Sequence, residues 1–98
     1  MTIEDIIIDI HALHEDLEAY ERKYGVLSET FYQSYMNGEE PENDSWMLDW
    51  QDWAGAYEIW LRRQKQYRHV INQINKPTVR IIDIIARTAR HEPIQITA

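Results

Sequence analysis

The chain has no cysteine. That excludes disulfides and thiolate metal sites, and it makes a reducing cytoplasm the simplest expected setting. Glycine is scarce, and Gly25, Gly38 and Gly55 stand alone, so there is no glycine-rich loop to cradle a phosphate. No apolar run reaches the length of a membrane span, and the first residues lack the charged start and cleavage site of a signal peptide. No serine has a neighbour that would activate it as a nucleophile. With 98 residues there is room for one domain.

Aromatic residues and acids are abundant. There are four Trp, six Tyr and one Phe, and the net charge is −7. The charge is divided unevenly. Residues 1–58 hold 15 Asp and Glu against Arg22 and Lys23, giving −13, while residues 59–98 hold 8 Lys and Arg against Asp83 and Glu92, giving +6. Such an asymmetry points to two surfaces with different partners, or to head-to-tail self-association. The alternative is that helices lying side by side neutralise one another.

The longest periodic run covers residues 45–75. Apolar side chains fall at Trp46, Trp50, Trp53, Tyr57, Trp60, Tyr67, Ile71 and Ile74, with Gln64 in the one missing slot. Steps alternating between four and three are those of a helix packing one seam against a partner. At 1.5 Å per residue such a helix is about 46 Å long, longer than a compact domain of this size is wide. Asp44 or Ser45 is placed to cap it. Gly55, between Ala54 and Ala56, costs about 1 kcal/mol of helix propensity, which suggests a bend or the close approach of another backbone.

The N-terminal run repeats the pattern. Thr2 caps, Asp5 sits in capping-box position, and Ile3, Ile6, Ile10, Leu13, Leu17, Tyr20 and Tyr24 form an unbroken seam. Gly25 follows as a natural C-terminal stop. A short helix is expected next, capped by Ser28, with Leu27 and Tyr32 as a staple, Phe31 and Tyr35 as its apolar face, and Gly38 as its end. Residues 39–43 are an acidic loop with Pro41. After the break at Pro77, residues 78–90 carry Val79, Ile82, Ile85, Ala86 and Ala89 on one helical face. Ile81 and Ile84 make the segment apolar on a second side, and its β-branched residues leave a strand open as an alternative. Residues 94–97 alternate like a short edge strand.

The expected fold is all-α: two long antiparallel helices joined through a short one, with a C-terminal helix added. Residues 1–75 form the hairpin core of a single domain, and residues 76–98 extend it. The aromatic load exceeds what one helical hairpin is expected to bury, so surplus apolar surface should remain for a partner. For a single tryptophan an internal cluster is the simpler reading. For the set, at least one should reach an intermolecular contact. Trp46, Trp50, Trp53, Tyr57 and Trp60 are the candidates for packing and interface, and Ile81, Ile82, Ile84 and Ile85 for a C-terminal grip.

Other chemistry is weaker. His11, His14, Glu15 and Glu18 lie within reach of one another on a helix, but no second helix carries matching ligands, so no metal or other cofactor is expected. Residues 62–69 form a basic block in which Tyr67 could stack on a base. The spacing of Arg63 and His69 resembles that of HEPN ribonucleases, in which arginine and histidine act on a phosphate and a ribose hydroxyl. Gln64, however, is not the type that pattern prefers after the arginine. An acidic majority would also repel RNA. Neither enzymatic activity nor direct nucleic-acid binding is expected.

Lys23-Tyr24-Gly25, Ser28-Glu29-Thr30-Phe31-Tyr32, Gly38, an acidic loop and then Asp52-Trp53-Ala54 with Tyr57 follow one another in a distinctive order. The order resembles that of the small antitoxins of TumE/TumA-type toxin–antitoxin modules, over about residues 15–62. The resemblance implies a cytoplasmic bacterial or archaeal antitoxin that binds and silences a toxin, itself proposed to be a ribonuclease. The chain departs from that pattern in the segment 77–98, which extends past the typical end. A self-assembling helical scaffold or homodimer is the alternative from a different class.

Overall fold

The computed structural model describes residues 2–74 and 80–91. It is all-α, as the periodicities predict. Helix α1 is Ile3–Tyr24 and α2 is Ser28–Met36. A 3₁₀ turn, Asp44–Trp46, leads into α3, Met47–Ile74, and α4 is Ile81–Ala89. The break at Pro77 and the strand expected at 94–97 lie outside the described residues.

The ends of α1 follow from the sequence. The Thr2 hydroxyl accepts the Asp5 backbone N–H at 3.1 Å, and the Asp5 carboxylate accepts the Thr2 N–H at 2.8 Å. These bonds hold the Asp5 carboxyl below its usual range. Gly25 closes the helix at φ +79°, a conformation that side chains disfavour. Three other boundaries differ from expectation. Asn43, not Asp44 or Ser45, caps the start of the long helix region, its side chain accepting the Ser45 N–H at 2.9 Å. The first turn there is 3₁₀, and regular α-helix begins at Met47. Segment 81–89 is helical and opens later than the expected 78, with the Asp83 carboxylate accepting the Arg80 N–H at 3.3 Å.

Ser28 is the third difference. It is the first residue of α2 rather than its cap, and it is buried. Its backbone N–H and its hydroxyl both donate to Glu21 Oε2, at 2.8 and 2.7 Å. A carboxylate from α1 thus occupies the place where a local cap would accept. The same hydroxyl accepts the Trp53 indole N–H at 2.9 Å, so one side chain joins all three helices.

Helices α1 and α3 run antiparallel. Near the turn, Lys23 Nζ and Tyr24 Oη both donate to Asp49 Oδ2. Far from it, Arg63 Nε donates to Asp9 Oδ2 at 3.0 Å. The predicted seams meet in two clusters, one on each side of the Arg63–Asp9 pair. Near the turn, Leu17, Phe31, Trp53 and Ala54 are buried with Tyr20, Tyr24, Trp50, Tyr57 and Trp60 packed around them. At the far end, Ile3, Ile6 and Val70 are buried with Ile7, Ile10, Tyr67, Ile71 and Ile74 against them. Ala54 and Val70 are core residues that the seam pattern leaves out.

The molecule is a rod of 55 × 23 × 20 Å. Its radius of gyration is 17.3 Å, against about 13 Å for a compact chain of this length. The antiparallel arrangement also sorts charge along the rod. Residues 15–58 form the turn end with α2 and the acidic loop; they hold 12 carboxylates against Arg22 and Lys23, a net −10. The cations of α3 lie in its second half, toward the other end.

Candidate protein-binding surface

Trp53 has no surface to offer a partner. It is 0% exposed, stacked on Phe31 with centroids 3.8 Å apart and planes within 3°. Tyr20 and Tyr24 stack near it at 5.7 and 5.6 Å. Trp50 meets Phe31 edge-on at 5.3 Å and Tyr24 at 6.4 Å. Trp50 and Trp60 are half-buried, and their indole N–H groups are covered without an acceptor among the described residues. The internal-cluster reading therefore holds for Trp53 and for most of Trp50 and Trp60. Short α2 covers more of the aromatic surface than a two-helix hairpin could, because Phe31 and Tyr32 both reach α3.

Trp46 differs, being 39% exposed while its ring meets Tyr24 edge-on at 6.4 Å. Met47 and Leu48 follow it at the surface, Leu48 at 72%, and Val26 is exposed on the neighbouring turn. This apolar tip borders the acidic loop, where Glu40, Glu42 and Asp44 are exposed and form no ion pair among the described residues. The nearby cations are already engaged, Lys23 with Asp49 and Arg22 with Glu18. Tyr57 and Trp60, together with Leu27 and His14, line a shallow groove of about 260 Å³ on the side of the hairpin. The Tyr57 phenol is pushed up, first by burial and then by the Glu29 charge.

Helix α4 presents the second apolar surface. Ile82 and Ile85 are 62% and 61% exposed, and Ile81 and Ile84 are half-buried. Among the described residues no other helix packs along α4. The four isoleucines named from the sequence thus lie together on one short helix whose apolar side is left open, with Arg80 and Arg87 at its polar edges.

The catalytic and metal candidates do not converge. Arg63 is held in the hairpin by Asp9 and donates to Gln66 Oε1 at 3.0 Å. His69, six residues on, projects about 120° around the helix from it. Tyr67 packs in the far cluster instead of standing free to stack on a base. Arg62, Lys65, Arg68 and His69 are exposed and form no ion pair among the described residues. His14 pairs with Glu18 at 2.6 Å, and among the described residues no three His, Asp or Glu side chains come together as a metal site. Nothing approaches within 4 Å of a Cβ placed on Gly55, so the close contact suggested by its position is not made within this chain. Among the described residues no helix is long and apolar enough to cross a membrane.

Two features of the surface escape a reading of spacing. The Lys23–Asp49–Tyr24 tie and the Glu21–Ser28–Trp53 relay each join residues 25 or more positions apart. Local pattern carries no sign of such pairs. No family model, curated protein or solved structure matches the chain.

Proposed function

We propose that this protein works by binding another protein, as a cytoplasmic antitoxin binds and silences its toxin. The observation that carries the binding part is α4. A nine-residue helix with four isoleucines exposes an apolar side along which no other helix packs among the described residues, and such a side is stable in water only marginally unless something covers it. The toxin part rests on the antitoxin resemblance and on charge. A ribonuclease must hold phosphates with a basic surface, and a −10 turn end offers such a surface carboxylates in place of its substrate.

The test is a double substitution, Ile82→Asp with Ile85→Asp. Burying two isoleucines contributes about 3–6 kcal/mol of association free energy. Their loss should weaken partner binding at least about a hundredfold while helix content stays the same. Unchanged affinity for the captured partner would remove α4 from the interface.

A further inference from the structure

We infer that, in the absence of any foreign partner, the apolar α4 of one copy, flanked by Arg80 and Arg90, docks on the apolar, acidic turn end of a second copy. The two surfaces are complementary in both respects. Ile82 and Ile85 stand exposed on a helical segment, residues 80–91, that holds Arg80, Arg87 and Arg90 against Asp83, a net +2. Trp46, Met47 and Leu48 stand exposed beside Glu40, Glu42 and Asp44, whose charges meet no cation among the described residues. Apolar contact supplies the attraction, and opposite charge sets which end meets which.

Geometry requires the second copy. Helix α4 follows the end of α3 that lies farthest from the turn. A fully extended chain from Ile74 to Ile81 spans at most about 25 Å, whereas the 28 residues of α3 make a helix about 42 Å long. Ile82 and Ile85 therefore fall short of Trp46 and Leu48 in the same molecule. The exposed cations in the second half of α3, Arg62, Lys65 and Arg68, stand on the same side of the charge division and reinforce the same polarity. Two antiparallel copies that exchange this contact reciprocally close as a two-fold pair, whereas copies that make it once each build rings or open chains.

Sedimentation and light scattering of the purified chain alone test this, and their outcome is separate from that of partner capture. The average mass should rise with protein concentration. It should fall as salt is raised from about 0.01 M to about 1 M, where the screening length shrinks from about 30 to about 3 Å. A tail variant, Ile82→Asp with Ile85→Asp, and a head variant, Glu42→Lys with Leu48→Lys, should each be monomeric with unchanged circular dichroism. Mixed together they should form a one-to-one pair that grows no further, since each supplies the surface the other lacks. A wild-type chain that stays monomeric at every concentration overturns the inference. So does a head variant that still self-associates, which would mean contact between two α4 helices. The salt series uses the unaltered chain and does not depend on how the variants fold.

Discussion

Ser28 carries more than its position in the chain suggests. Its hydroxyl donates to Glu21 and accepts from Trp53, so it satisfies an indole N–H that would otherwise be buried without a partner. Ser28→Ala should leave the Trp53 N–H unpaired and cost about 1–3 kcal/mol, read as a lower midpoint in urea. A change within error would show that water replaces the hydroxyl. Asp49 makes the pH dependence specific. Hydrogen bonds from Lys23 and then Tyr24 hold its carboxyl below the usual 3.8. The folded state binds this proton less readily than the unfolded chain. Its contribution is therefore complete above that value and drains away as pH falls below it. Lys23 has the opposite sign: the bond to Asp49 raises it above 10.5, so its contribution is complete below 10.5 and is lost as pH rises through the folded value. Tyr24, raised first by burial and then by Asp49, behaves in the same sense. In Asp49→Asn both edges of the stability–pH curve should flatten, with the curve measured by urea midpoints across the range.

Helix α1 was the most legible element, because everything that defines it is local. A capping box, a three-four alternation and a glycine stop all lie within the segment itself. The seam of α3 was legible for the same reason, and most of its aromatic residues do face α1 or α2. Its start was not, since the choice between a cap at Asp44 or Ser45 and a 3₁₀ turn capped by Asn43 depends on small differences in local geometry. The role of Ser28 is not legible because its partners lie on other helices, Glu21 on α1 seven residues back and Trp53 on α3 25 residues on. Of the candidate surface, the exposed isoleucines of α4 could be picked out as a group. The burial of Trp53 could not, because the same seam position can face a neighbouring helix or a foreign chain. Two substitutions test these elements. Gly55→Ala adds a methyl group that meets nothing within 4 Å, so it should stabilise α3 by about 0.5–1 kcal/mol and raise the melting temperature by about 2–8 °C. A loss of stability would mean that the helix bends there. Ile82→Asp with Ile85→Asp should leave the melting temperature of the hairpin nearly unchanged, within about 0.5 kcal/mol, because both side chains are exposed and no other helix packs along α4 among the described residues. A large drop would place α4 in the core.

As a whole the molecule is a rod with its acids gathered at the turn and an apolar helix, flanked by arginines, following the other end. The hairpin buries Trp53 and half-buries Trp50 and Trp60 among its own residues and leaves Trp46 and α4 open, which is the division of labour expected of a chain that folds by one surface and binds by another. The measurement that bears most directly on this is capture of the tagged chain and of its Ile82→Asp, Ile85→Asp variant from the native cells, with the retained protein weighed, identified and assayed. The account predicts one small, basic protein in stoichiometric amount with the wild type and little with the variant. Purified alone, that protein should cleave RNA, and adding the wild-type chain should stop it. No stoichiometric partner, or a partner retained equally by the variant, would contradict a function built on α4. A partner whose RNA cleavage the chain leaves untouched would contradict the antitoxin reading itself.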